Sequence, residues 1–173
     1  MNQVPSAHSR SLRHAVAADF PAILRLNEES VRFLSPLTEA RLAALHGQAC
    51  WHRVGEENGQ LVAFLLALRE GADYDSPNYR WFAARYERFF YVDRVVVAAA
   101  AHGHGWGRRL YEDAFAAAAQ LGIATVTCEF DVEPPNPVSE QFHRRFGFRE
   151  VGRQSVAGGA KMVSLQAATI MAA

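Results

Sequence analysis

Apolar side chains recur along this chain in two rhythms, and the switches between them outline the elements. Leu12-Arg13-His14-Ala15-Val16 alternates as a short strand does, after a stretch from Met1 to Arg10 with few large apolar groups that is expected to be loose. Asp19 then reads as a helix cap with Pro21 in the first turn. Ile23, Leu26, Val31, Phe33 and Leu34 follow as an apolar stripe, with Arg25 and Glu29 turned outward. Thr38, beyond Pro36, opens a shorter helix that ends near Gly47. Strand-like runs return at Cys50 to Glu56 and Gln60 to Leu68, separated by Glu57-Asn58-Gly59. An Asn-Gly pair is the strongest short hairpin signal, so these runs are expected to pair antiparallel.

From Glu70 to Arg88 turn residues precede Tyr79, Trp81, Phe82, Tyr86 and Phe89 at roughly helical spacing, an excursion carrying one short helix. Phe90 to Val97 is the next strand, Trp106 to Leu121 a long helix stopped by Gly122, and Ala124 to Phe130 another strand. Pro134-Pro135-Asn136-Pro137 breaks the chain before a helix over Val138 to Phe146, which Gly147 ends. Phe148 to Val156 and Lys161 to Ala168 form a terminal hairpin around Gly158-Gly159. Seven strands and about four helices in this order predict an α+β fold with a mixed sheet.

Composition narrows the function classes. The chain has 173 residues, enough for one domain, here residues 11–173. Its 18 basic residues balance 18 acidic ones, which argues against nucleic acid or an anionic membrane as partner. Cys50 and Cys128 lack metal-type spacing, no leader pattern opens the chain, and the apolar stretches fall short of a bilayer span. A soluble cytoplasmic protein is the expectation, with no metal.

The most informative junction is Val95-Val96-Val97, four alanines, then His102-Gly103-His104-Gly105-Trp106-Gly107-Arg108-Arg109-Leu110, opening a helix. Glycines at alternate positions let the backbone turn its N–H groups inward, and the positive helix end adds to them, so a phosphate has a ready seat. A dinucleotide-binding fold would place such glycines after its first strand, with an acidic residue about 20 positions on. Here they come late, after strands that read as antiparallel.

The element order and this junction resemble the GNAT acetyltransferase superfamily, whose pyrophosphate loop reads Gln/Arg-x-x-Gly-x-Gly/Ala between the fourth strand and third helix. His102 to Gly107 fits that motif, with His102 where the family has Gln or Arg. A second likeness runs from Asn136 to Phe148, with Ser139 at the small position, Phe142-His143 in place of Phe-Tyr, and Gly147-Phe148 intact. The resemblance implies a GNAT-like acyl-CoA N-acyltransferase fold with a mostly antiparallel seven-stranded sheet, and acetyl-CoA as cosubstrate. It implies a cofactor cleft where the fourth and fifth strands part. The Val95-Val96-Val97 backbone, through Val95 and Val97, would meet the pantetheine amides, and N–H groups from Gly103 through His104, Gly105, Trp106 and Gly107 to Arg108 the pyrophosphate. Arg108 and Arg109 would add charge near the 3′-phosphate, Asn136 would touch the pantetheine arm, and Ser139, Phe142 and His143 would line the same side.

Acetyl transfer to an amine needs a base, an oxyanion donor and an acid for the departing thiolate. By position His143 is the candidate acid, standing where the family's tyrosine would protonate sulfur. Asp93 and Glu129 are the candidate bases; strand alternation puts Tyr91, Asp93 and Val95 on one face, and Glu129 with Thr127 and Asp131. Asp93 is the slightly preferred base. Tyr79, Trp81, Phe82 and Tyr91 are expected to wall the acceptor pocket, which suits a small amine or peptide acceptor. A competing reading is a CoA-binding regulatory or sensor module without catalysis, and the terminal hairpin is a candidate homodimer interface.

Overall fold

The turn at Asn58-Gly59, with φ of 53° and 78°, joins the two strands that anchor the sheet. The structure is a computed structural model that describes residues 9–31 and 34–170. The stretch expected to be loose lies, up to His8, outside those residues, as does Phe33. The strands are β1 (Arg10–His14), β2 (Trp51–Glu57), β3 (Gln60–Arg69), β4 (Phe90–Val97), β5 (Thr125–Glu133), β6 (Arg149–Val156) and β7 (Lys161–Thr169). They form one sheet in the order β1-β2-β3-β4-β5-β7-β6. Every neighbouring pair is antiparallel except β4 and β5, whose parallel pairing covers only Phe90 with Val126 and Tyr91 with Thr127. Beyond those residues the two strands part.

Among the described residues, five α-helices cover the sheet: α1 (Phe20–Glu29), α2 (Glu39–Gln48), α3 (Pro77–Ala83), α4 (Trp106–Gln120) and α5 (Pro137–Arg145). Ile23, Leu26, Leu42, Leu45, Tyr79 and Phe82 from α1, α2 and α3 pack on one face with Phe64, Leu66 and Tyr91 of the sheet. Trp106, Leu110, Tyr111, Ala114, Ala117 and Ala118 of α4 pack on the other, over Leu65, Phe90, Val126 and Cys128, with Phe142 of α5 and Phe146 just after that helix beside them.

Three local expectations are corrected. Asp19 begins α1 without a side-chain cap, because its carboxylate takes a fork from Arg13 at 2.8 Å on each oxygen and a bond from the Val16 N–H. Helix α1 stops at Glu29, short of the end of the apolar stripe: buried Asn27 donates to the Ser35 carbonyl beyond it, and Val31 is left exposed. On β4 the alternation breaks. Leu66 faces Arg94 and Ala67 faces Val92, so Asp93 is the extra residue of a β-bulge. Tyr91 and Val96 therefore face the α1–α3 core, whereas Val95 and Val97 pack with Phe90 and Val92 toward α4, and Tyr91 and Val95 do not share a face.

Candidate active site

The glycine junction is an open loop on the α4 side. Gly103 and Gly105 have φ of 80° and 83°, left-handed values that a side chain would strain, and each faces open space where a Cβ would stand. Tight turns donate from His102 to the Ala99 carbonyl, from His104 to that of Ala101 and from Arg109 to that of Gly105. The N–H groups of Gly103, Gly105, Trp106, Gly107 and Arg108 find no partner among the described residues. A run of unengaged N–H groups at the start of a 15-residue helix is an anion seat. Arg108 is salt-bridged to Glu112 on the exposed face of α4, and the Arg109 guanidinium lies 4.9 Å from the Trp106 ring centre.

The strand edge beside the loop is also available. Ala98 donates to the Val62 carbonyl, which sends the backbone groups of Val97 away from β3, into the opening beyond the β4–β5 pairing. Register is regular from Arg94 to Val97, so the backbone groups of Val95 point the same way and those of Val96 toward β3. The Val97 carbonyl accepts from Nε2 of His102 at 2.9 Å. An extended ligand carrying amides would meet this edge as an added strand does.

Helix α5 closes the far side. A Cβ on Gly107 would stand 3.3 Å from the Phe142 ring, a tight contact that glycine avoids where α4 and α5 approach. Asn136 caps α5, its Oδ1 accepting from the Ser139 N–H at 3.2 Å. The two sequence motifs, some 30 residues apart in the chain, thus meet in space. His143 is buried, stacked on Phe130, with Nδ1 at 2.7 Å from the Ser139 carbonyl and Nε2 at 2.7 Å from the Tyr111 hydroxyl. That geometry puts its proton on Nδ1 and makes Nε2 the acceptor. Burial pushes its pKa down to about 4, so the ring is neutral at pH 7 with both nitrogens engaged.

On the opposite face the two candidate carboxylates differ. Asp93, set in the bulge, accepts from the Tyr74 hydroxyl at 2.6 Å and from Arg94 Nε at 2.7 Å, with a side chain 4% exposed. Arg94 continues to Asn27 and Ser35, tying the bulge to α1. Glu129 on β5 accepts at Oε1 from Asn78 Nδ2 and from the Tyr91 hydroxyl, both at 2.9 Å. Its Oε2 is enclosed and has no partner. Burial, and then the negative charge of Asp93, push its pKa up to about 8. Asn78 is held in turn by Gln154 Nε2 of β6 at 3.0 Å.

The aromatic residues divide. Tyr79 and Phe82 fill the core, and the Tyr79 hydroxyl is taken by the Arg69 carbonyl and the Ala72 N–H. Tyr91 is buried, presenting only its hydroxyl to Glu129. Trp81 is half-buried, stacked under Arg85 and seated on Gly152, where a Cβ would meet its ring at 2.6 Å.

The chain as a whole matches known proteins at the level of family. A model of the acetyltransferase (GNAT) family matches residues 11–148. The chain belongs to the GNAT acetyltransferase family. A search of curated proteins gives no significant match. Solved GNAT-like structures share its fold. The ribosomal-protein-S18-alanine N-acetyltransferase of Escherichia coli is 18% identical, with a TM-score of 0.72 over 95% of this chain and 96% of that one. Ard1 of Thermoplasma volcanium is 13% identical, with a TM-score of 0.76 over 94% and 99%. The protein yncA of Salmonella typhimurium, solved with its cofactor acetyl-CoA, is 19% identical, with a TM-score of 0.71 over 95% and 97%.

For this GNAT protein, sequence reasoning missed Asn78, Gln154 and Tyr74 as neighbours of the carboxylates. One signal existed for Asn78: it lies four residues before Phe82 and so shares its core-facing side of α3, where a buried amide needs partners.

Proposed function

We propose that this GNAT acetyltransferase transfers the acetyl group of acetyl-CoA to a primary amine by direct attack in a ternary complex, with Glu129 as base. The observation that carries the reading is the enclosed, unpartnered Oε2 of Glu129, on the face opposite the glycine loop and close beyond the last β4–β5 pair. A free carboxylate oxygen among aromatic walls is a receptor for an ammonium group. A base raised toward the range of its target also transfers protons efficiently. Asp93, with both oxygens engaged, serves instead to raise Glu129 and to hold Arg94.

The loop residues Gly103 to Arg108 hold the pyrophosphate of acetyl-CoA, and the Val95 and Val97 backbone the pantetheine arm, which displaces His102 from the Val97 carbonyl. Asn136, Ser139 and Phe142 flank that arm. The acceptor ammonium gives a proton to Glu129, its nitrogen attacks the thioester carbonyl, and a backbone N–H near Val95 receives the developing oxyanion. The C–S bond then breaks. Because both nitrogens of His143 are engaged, we assign it to packing, and the second proton of the attacking nitrogen reaches the departing thiolate through water. That loss of a helical acid is the one observation favouring the second reading, a CoA-binding sensor without turnover.

Thiol release from acetyl-CoA over a panel of primary amines, amino acids and short peptides separates the two. The enzyme reading expects amine-dependent release with at least one acceptor and a matching acetylated product. Thermal stabilisation by CoA with no release across the panel would support the sensor.

A further inference from the structure

Away from the parted strands, one carboxylate gathers an unusual set of donors. Glu57, the last residue of β2, accepts at Oε1 from Arg10 Nε at 3.0 Å and Nη2 at 2.9 Å. Its Oε2 accepts from His104 Nδ1 at 3.1 Å and Trp106 Nε1 at 3.2 Å. Arg10 also donates through Nη1 to the His104 carbonyl at 3.2 Å. The Trp106 ring lies against Gly55 of the same strand so closely that a Cβ there would meet it at 2.6 Å. The residues on either side of Gly105 are therefore both tied to the β1–β2 edge, although nearly 50 residues separate Glu57 from each in the chain.

We propose that Glu57 and Arg10 are positioning residues for the cofactor, gripping His104 and Trp106 so that the N–H groups around Gly105 are already aimed when the pyrophosphate arrives. A peptide group is planar and trans, so its C=O and N–H point in opposite directions. With the His104 carbonyl held by Arg10, the N–H of Gly105 points away from β1, and it is one of the unengaged donors. Glycine loops lose more backbone freedom on ordering than any others, so side-chain ties at Gly105's neighbours reduce what the ligand must order. Glu57 is unsuited to touch a phosphate itself. Its charge is compensated by Arg10, and the His104 and Trp106 donors hold its carboxyl well below the usual carboxylate range.

The inference rests on the loop being the pyrophosphate seat, and the test separates the two. CoA binding is measured by calorimetry for the wild type, Glu57→Gln and Arg10→Ala, alongside kinetics with acetyl-CoA and with S-acetylpantetheine, which lacks the pyrophosphate. Both variants are expected to bind CoA at least fivefold more weakly and to raise KM for acetyl-CoA to match, with kcat within twofold of wild type and S-acetylpantetheine turnover unchanged. Trp106→Phe, which keeps the ring on Gly55 and removes one donor, is expected to fall between them and the wild type. Wild-type affinity in Glu57→Gln and Arg10→Ala, or equal losses with CoA and S-acetylpantetheine, would overturn the inference and leave the reading of the loop standing. Failure of the wild type to bind CoA would overturn both.

Discussion

The two sides of the parted strands are built on opposite principles. On the cofactor side the groups are backbone, exposed and unengaged: glycines at positive φ and five N–H groups without partners among the described residues. On the acceptor side they are side chains, enclosed and largely engaged: Asp93, Tyr74, Tyr91, Asn78 and Gln154 are bonded, whereas Oε2 of Glu129 and the Thr127 hydroxyl two residues earlier on β5 have no partner. An anion is caught by many weak dipoles that need only be presented. A proton is moved by a single group whose ionisation must be tuned, and tuning requires burial.

The contrast is broken most severely at Glu129. Glu129→Gln is expected to lower kcat/KM by roughly 100-fold or more, the range for removing a general base, with CoA affinity unchanged. The same variant tests the tuning through stability. The Glu129 pKa is raised from 4.5 to about 8 on folding, so the native state keeps a proton that the unfolded chain has lost. This group's contribution is fully present below pH 4.5 and declines as pH rises to about 8. Thermal melts of Glu129→Gln should therefore gain on wild type between pH 5 and pH 8; a constant difference would mean that Glu129 is not tuned.

Asp93 should behave differently. Asp93→Asn leaves Arg94 buried without its counter-charge, which costs about 3 kcal/mol, or a melting point lower by roughly 6–12 °C at this chain length. The variant is expected to keep the alkaline activity of whatever protein remains folded. On the cofactor side, Gly105→Val places a branched Cβ at a φ of 83° and is expected to weaken CoA binding about tenfold, from the strain of left-handed backbone alone. Calorimetry reads the change, and the pH profile should not move. The smallest catalytic effect is expected at His143→Phe. It removes the acceptor of the buried Tyr111 hydroxyl and lowers stability by about 1–3 kcal/mol, while kcat stays within threefold. A drop of tenfold or more with intact folding would return His143 to the proton path.

The same contrast explains what the sequence disclosed. The proposed cofactor seat is local: a β strand, a few residues of turn and a helix start, all between Val95 and Arg109, so spacing alone suggests a seat for a phosphate. Its partner motif, from Asn136 to Phe148, is equally continuous. The element order was legible for a related reason, because caps, hairpin turns and glycine stops act within a few residues. The base site is assembled from Asn78, Tyr91, Glu129 and Gln154, which meet only through the sheet order and α3. The bulge at Asp93 shifts every later residue of β4 to the other face, and no pattern in Tyr91-Val92-Asp93-Arg94-Val95 announces it. His143 shows the limit of position as a guide. It occupies the tyrosine's place in the motif, but Tyr111, fully buried on α4, holds its ring inside.

The most direct test of Glu129 as the tuned base is the pH dependence of kcat/KM for the acceptor, with acetyl-CoA saturating and two accepted amines of different pKa. The account predicts an acid limb near pH 8 for both amines, rising with pH as Glu129 loses its proton and absent from Glu129→Gln. A limb that moves with the pKa of the amine, or that survives in Glu129→Gln, would contradict it.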